Sequence, residues 1–228
     1  MKLKDYLYYS EDKVKLYNAD CLDILKKLPD NYIDLIVTDP PYGINLSPQR
    51  KTSKFKNKRI EMDKDLNWLD NFYKEAYRIL NNRGVLYCFC NWEKYDIFKH
   101  KAEKFFIVKN CLVWNKMWFG MGNNWRPNHE FILMLSKEKN IKTLSNNKSN
   151  ILNYRRIHPS KLNHVAEKPI DLVKDLISEH QGEIVLDPFL GSGTTAIACK
   201  ELDRKCIGIE ISPEYCNIAK ARVKGWSK

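Results

Sequence analysis

The chain's 228 residues suit one large domain, and a content of 43% hydrophobic and 29% charged residues excludes wholesale disorder. No uncharged apolar run approaches the roughly 20 residues of a membrane span, and Met1 to Asp12 mixes Lys, Asp, Glu and Tyr, so a cytoplasmic protein without membrane contact is expected. The net charge is +11, from 39 Lys and Arg against 28 Asp and Glu, which excludes an acidic, polycation-seeking chain and directs attention to where the excess lies.

Short β-rich runs alternate with stretches of helical period along the chain. The order begins with a strand at Val14–Tyr17, a helix at Cys21–Lys27, a strand at Ile33–Thr38, a helix at Leu66–Leu80, a strand at Gly84–Cys90 and a helix at Trp92–Lys101. Two consecutive strands, Ile107–Asn115 and Glu130–Leu135, precede a helix at Pro169–Glu179, a strand at Ile184–Leu186, a helix at Thr194–Glu201, a strand at Cys206–Ile209 and a last helix at Pro213–Val223. Pro169 and Pro213 suit first-turn positions, and Ser212 suits an N-cap. This order predicts an α/β domain spanning 1–228, with a mostly parallel seven-stranded sheet, helices on both faces and an antiparallel hairpin at one edge.

Two long connections hold the charge. Residues 46–64 carry Arg50, Lys51, Lys54, Lys56, Lys58, Arg59 and Lys64 against Glu61 and Asp63; residues 136–164 carry Lys137, Lys139, Lys142, Lys148, Arg155, Arg156 and Lys161 against Glu138. Together they account for the whole net charge, and their Ser, Asn and Thr content reads as loops facing a polyanion. Seven cysteines without a Cys-x-x-Cys pair suggest neither a disulfide framework nor a metal site; Cys88 and Cys90 share one face of a strand and read as core.

Two motifs carry chemistry. Asp187-Pro188-Phe189-Leu190-Gly191-Ser192-Gly193-Thr194-Thr195 follows an apolar strand and opens a helix, so Gly191 and Gly193 allow a sharp turn and close approach to a nucleotide-like ligand. The next strand ends in Glu210, where an acidic side chain meets ribose hydroxyls; the missing third glycine and phosphate-loop lysine point away from pyrophosphate ligands. Thr38-Asp39-Pro40-Pro41-Tyr42-Gly43 leaves a strand abruptly and presents a carboxylate, a carbonyl and an aromatic ring in one small volume, a trio suited to a planar amine-bearing base.

The Asp-Pro-Pro-Tyr turn, the Asp-Pro-Phe-x-Gly-x-Gly-Thr-Thr run and Asn163-His164-Val165-Ala166-Glu167-Lys168-Pro169 resemble S-adenosylmethionine-dependent DNA amino-methyltransferases, and the motif order resembles their β group. The resemblance spans Tyr17 to Val223 and implies a Rossmann-like class I methyltransferase fold. It implies catalytic roles for Asp39, Pro40, Pro41 and Tyr42, and S-adenosylmethionine contacts from Asp20, Cys21, Lys168, Asp187, Pro188, Phe189, Gly191, Gly193, Thr194 and Glu210. Asp20 also suits a helix cap. Arg50, Lys51, Lys54, Lys56, Lys58 and Arg59 become candidates for a lid facing DNA, and Arg155 and Arg156 for a short target-recognition insertion at 136–164.

The implied reaction is methylation of the N6 amine of a flipped-out adenine, with Asp39 and the Pro40 carbonyl holding the amine hydrogens and Tyr42 stacked on the base. Asp at position 39 favours adenine within the resemblance. Cytosine N4, an RNA adenine, a protein glutamine and a catalytically idle nucleic-acid-binding subunit stay open, as do single- or double-stranded DNA, a homodimer and a cognate restriction endonuclease. The segment from Trp114 to Arg126 combines aromatics with cations and suits base stacking by Trp118 or Phe119.

Overall fold

The computed structural model describes residues 2–43, 65–119, 124–145, 147–158, 160 and 167–226. Its sheet has nine strands: β1 Leu7–Glu11, β2 Val14–Asn18, β3 Ile33–Thr38, β4 Leu80–Cys90, β5 Ile107–Asn115, β6 His129–Ser136, β7 Ile151–Asn153, β8 Ile184–Asp187 and β9 Lys205–Glu210. Six α-helices accompany them: α1 Cys21–Leu25, α2 Leu69–Ile79, α3 Tyr95–Ala102, α4 Ile170–Ser178, α5 Thr194–Glu201 and α6 Pro213–Gly225. Across the sheet the order is β1-β2-β9-β8-β3-β4-β6-β5-β7.

Strands β2, β9, β8, β3 and β4 are parallel; β6 runs antiparallel to β4 and to β5. The seven expected strands are all present, but a seven-stranded sheet with an edge hairpin is not what forms. Strand β7 pairs parallel with β5, so the β5–β6 hairpin lies one strand inside the edge, and β1 pairs antiparallel with β2 at the other end. Neither added strand has a buried apolar face of its own, since β1 is half-buried to exposed and only Leu152 of β7 is covered, which removes the period-two signal. The β1–β2 turn is made by Asp12, which adopts a left-handed φ of 46°.

The pleat divides the core in two. Ile36, Leu86, Cys88, Cys90, Leu133 and Leu135 face a cluster completed by α1, α2 and α3. Their neighbours Leu35, Val37, Val85, Tyr87, Phe89, Ile132 and Met134 face the cluster completed by α4, α5 and α6. Period-two alternation between two apolar layers explains why these strands read as nearly continuous apolar runs. Cys88 and Cys90 lie fully buried on one face, as their spacing suggests, and all seven cysteines are free.

This layering fixes where a site can form. After β3 the chain crosses by α2, on one face, to β4; after β8 it crosses by α5, on the other face, to β9. The adjacent strands β3 and β8 therefore send their connections in opposite directions and leave a crevice beyond their carboxyl ends. Open α/β sheets bind ligands at such a switch point.

Candidate active site

The carboxyl ends of the parallel strands bring the acidic candidates into a row. Asp20 follows β2, Glu210 ends β9, Asp187 ends β8 and Asp39 follows β3, in the spatial order of those strands. The crevice between Asp187 and Asp39 is a narrow cavity lined by Thr38, Lys168, Phe189, Gly191 and Thr194 among others.

On the β3 side, Pro40 and Pro41 are buried and turn the chain out of the sheet, leaving Asp39 and Tyr42 half-buried at the rim. Both oxygens of Asp39 are engaged: the Tyr42 hydroxyl donates to Oδ1 and the Lys168 ammonium to Oδ2. Lys168 is only 7% exposed and also lies 3.3 Å from Oε2 of Glu130. Tyr42 Oη is 3.2 Å from the same oxygen, while Glu130 Oε1 takes Lys116 at 2.6 Å. Two carboxylates, two ammonium groups and one phenol thus form a single connected cluster.

Burial pushes the Asp39 carboxyl up, with Glu130 adding to the shift and Lys168 opposing it. Burial acts the same way on Glu130, but Lys168 and Lys116 outweigh it and bring that carboxyl down to about 2. Lys168 stays protonated because Asp39 and Glu130 outweigh its burial. The Tyr42 phenol is held neutral by burial and by the two carboxylates. Its ring packs edge-on against Phe98 of α3, with centroids 6.2 Å apart.

On the β8 side, Asp187 accepts the Thr195 hydroxyl at 2.5 Å and the Phe189 amide at 3.1 Å. Burial nevertheless raises its pKa to about 7, against the pull of those two donors. The Thr38 hydroxyl is near enough to be felt by this carboxylate, yet it is buried outside hydrogen-bond geometry with any protein group. Gly191 and Gly193 take φ values of 54° and 89°, which side chains rarely adopt, and a Cβ on Gly193 would sit 3.0 Å from Ala219. The loop they form is locked to β9, since Leu190 N–H donates to the Ile209 carbonyl and Gly191 N–H to Glu210 Oε2. Pro188 and Thr194 are buried beside it.

Glu210 is oriented by main-chain donors, Gly191 N–H and Ser212 N–H, each at 2.8 Å. Asp20 caps α1 by accepting the Leu22 amide at 2.8 Å. Cys21 opens α1 with its thiol buried in the core, where burial pushes it far up as an acid, so any contact it makes with a ligand would come from its main chain.

The remaining candidates are more scattered. Arg50, Lys51, Lys54, Lys56, Lys58 and Arg59 lie outside the described residues, as do residues 161–166. The 136–164 window is not all loop, because it contains β7, and its Lys148 is held by Asp175 and Glu179. Arg155 is exposed and lies 5.6 Å over the Trp118 ring; Arg126 lies 5.7 Å over Phe119. Trp118, Phe119 and Trp125 are 54%, 63% and 98% exposed, forming an aromatic and cationic surface between β5 and β6. Lys116 joins this segment to the cluster around Asp39.

Sequence reasoning gave Glu130, Lys116 and Trp68 no role in the site. Trp68 packs on Phe189 at 5.3 Å and so closes the apolar side of the glycine loop. A charge at the head of the apolar run Phe131–Leu135, next to His129, is a signal that could have assigned Glu130 to the site.

A family described as DNA methylase, covering N6 and N4 types, matches residues 33–221. The Type II methyltransferase M.HpaI of Haemophilus parainfluenzae is 31% identical, over 92% of this chain and 74% of its own length. The DNA adenine methyltransferase YhdJ of Escherichia coli is 27% identical, over 94% and 84% respectively. Among solved structures, the M1.HpyAVI–SAM complex superposes with a TM-score of 0.69 at 28% identity, covering 92% of this chain and 99% of that one.

Proposed function

Because the chain belongs to the N6/N4 DNA methylase family and takes its methyl group from S-adenosylmethionine, we propose that it methylates the exocyclic N6 of an adenine extruded from DNA. The observation that carries this reading is the meeting of two motifs, the Asp39–Tyr42 turn and the Phe189–Gly193 loop, across the β3–β8 crevice. The name of YhdJ and the carboxylate at position 39 support adenine over cytosine.

The crevice fits the cofactor chemically. Its Thr38 hydroxyl and the Lys168 ammonium suit an amino-acid carboxylate; Asp187 and the Phe189 face suit cationic centres. Glu210 and Asp20 would hold the ribose and adenine ends, and Asp187, Pro188, Gly191, Gly193 and Thr194 the methionine end. When bound, the cofactor supplies an electrophilic methyl group on a sulfonium.

The chain's own contribution is positioning and charge. An adenine amine has its lone pair delocalised into the ring, so it becomes nucleophilic only when its hydrogens are held and the nitrogen turns towards tetrahedral geometry. Asp39 accepts one hydrogen and the Pro40 carbonyl the other, Pro41 keeps the turn rigid, and the Tyr42 ring contacts the base. Flipping the base costs a few kcal/mol of stacking, which stacking on Trp118 or Phe119 and phosphate contacts from Arg155 and Arg156 offset. The basic residues of 46–64 add to this electrostatic hold.

The test is transfer of labelled methyl to mixed-sequence duplex DNA, single-stranded DNA and RNA, with mass spectrometry of the digested nucleosides. N6-methyladenosine in DNA is the expected product. N4-methylcytosine, label in RNA alone, or no label in nucleic acid despite cofactor binding would each overturn the reading.

A further inference from the structure

We propose that Glu130 is a positioning residue for the transfer step, the acceptor that receives the Lys168 ammonium and the Tyr42 hydroxyl when the substrate amine takes their place on Asp39. The inference rests on reading Asp39 as the group that holds the amine. Both oxygens of Asp39 are already engaged in the free protein, with Tyr42 on one and Lys168 on the other. Each oxygen keeps a second lone pair, but a carboxylate neutralised by a buried ammonium has little charge left to polarise a neutral amine.

Releasing those donors with no carboxylate to receive them would leave a buried ammonium facing aromatic rings and a buried phenol without an acceptor, both unfavourable. Glu130 removes that obstacle. Its Oε2 lies 3.3 Å from Lys168 Nζ and 3.2 Å from Tyr42 Oη, so a small shift transfers both donors from one carboxylate to the other. Tyr42 has one proton and can donate fully to only one of them at a time. Lys116, at 2.6 Å from Oε1, anchors the receiving carboxylate, and the cluster of two anions and two cations stays neutral throughout the exchange. Because Lys116 opens the exposed aromatic segment after β5, the same contact ties that surface to the turn holding Asp39.

The groups facing Asp39 from the surrounding elements are Tyr42 of its own turn, Lys168 before α4, Glu130 of β6, Cys88 and Cys90 of β4, and Asp187 of β8. Burial keeps the two thiols neutral through the working range, and Asp187 acts alike on wild type and variants. Removing the Glu130 charge leaves Lys168 and Tyr42 to Asp39 alone, which lowers its proton affinity and tightens its capping. Removing the Lys116 charge has the opposite effect, because Lys168 is drawn towards Glu130.

Full-length Glu130→Gln and Lys116→Gln are compared with wild type in single-turnover methyl transfer to adenine-containing duplex DNA across about pH 5 to 9. Calorimetry of S-adenosylmethionine binding accompanies the series. Glu130→Gln should cut the plateau rate by about 10- to 100-fold, with cofactor affinity within about twofold of wild type, and should move the acid limb to lower pH. Lys116→Gln should move that limb to higher pH and tests the idea alone if Glu130→Gln does not fold. A rate loss in Glu130→Gln with an unmoved limb, or limbs that do not shift in opposite directions, would overturn the role given to Glu130 while leaving the adenine reading intact. Wild type that transfers no methyl to adenine would instead overturn the parent reading, and this inference with it.

Discussion

Replacing Asp39 by Ala separates chemistry from cofactor binding and from folding, and the structure sets the size of each effect. The substitution removes the carboxylate on which Lys168 and Tyr42 converge, yet both retain Glu130 at 3.3 and 3.2 Å. A unit-charge pair at that separation has a gross attraction of about 5 kcal/mol at an effective dielectric of about 20, enough to keep Lys168 protonated and in place. The fold should therefore lose only about 1–2 kcal/mol, a shift of a few degrees in thermal midpoint for a domain of this size. Transfer should fall by about 10²- to 10³-fold, since a preorganised charged acceptor at the amine contributes roughly 3–4 kcal/mol and nothing within the turn replaces it. S-adenosylmethionine affinity, measured by calorimetry on the same preparation, should change by less than about threefold, because the glycine loop, Glu210 and Asp20 are untouched. Equal losses of affinity and of transfer in a variant with an unchanged thermal midpoint would refute this division of labour; so would transfer within about tenfold of wild type.

Glu210→Ala should show the reverse pattern, weakening S-adenosylmethionine by about 10- to 100-fold while transfer largely recovers at saturating cofactor, since the lost carboxylate orders Gly191 and Ser212 and lies far from the amine. The Asp187 pKa of about 7 predicts that binding the cationic cofactor at neutral pH expels a fraction of a proton, so calorimetric enthalpy should vary with buffer ionisation enthalpy in wild type and not in Asp187→Asn. The same shift carries a stability sign. The carboxyl is raised in the folded state, so its contribution should weaken as pH rises from about 4 to 7 and then level off, which pH-dependent denaturant unfolding of wild type against Asp187→Asn would reveal. Arg155→Ala should lower the slope of log affinity against log salt by about one, whereas Trp118→Ala should weaken binding with the slope unchanged, in titrations on one duplex.

How much of this was legible beforehand follows from which forces leave a local trace. All six helices start within about three residues of the expected positions, because caps and apolar period act over one or two turns: Ser212 accepts the Tyr215 amide, and Asp20 the Leu22 amide. Strands β3, β4, β6, β8 and β9 are largely buried and carry their own apolar signature, and the apolar residues of β2 and β5 mark those two as well. Strands β1 and β7 carry no such signature, because an edge strand needs only a neighbour to pair with. Ile151 and Asn153 are exposed, and β7 exists through its ladder with Val113, Trp114 and Asn115.

The site divides along the same line. The Asp39 turn and the glycine loop are contiguous motifs, so sequence alone could name them, and the strand order then places them side by side. The cluster around Asp39 is assembled from distant segments: pairing of β3 with β4, β4 with β6 and β6 with β5 brings Glu130 and Lys116 to it, and the segment leading into α4 brings Lys168. In the register of β5 with β6, Glu130 lies opposite Trp114, so Lys116 arrives two residues beyond the pair, close enough to reach the carboxylate. A slip of one residue would turn Glu130 to the opposite face of the sheet and leave Lys168 and Asp39 as an isolated pair. The partners that modulate the proton affinity of Asp39, beyond its burial, are thus set in part by sheet register, a property of the folded chain that no local pattern of residues records.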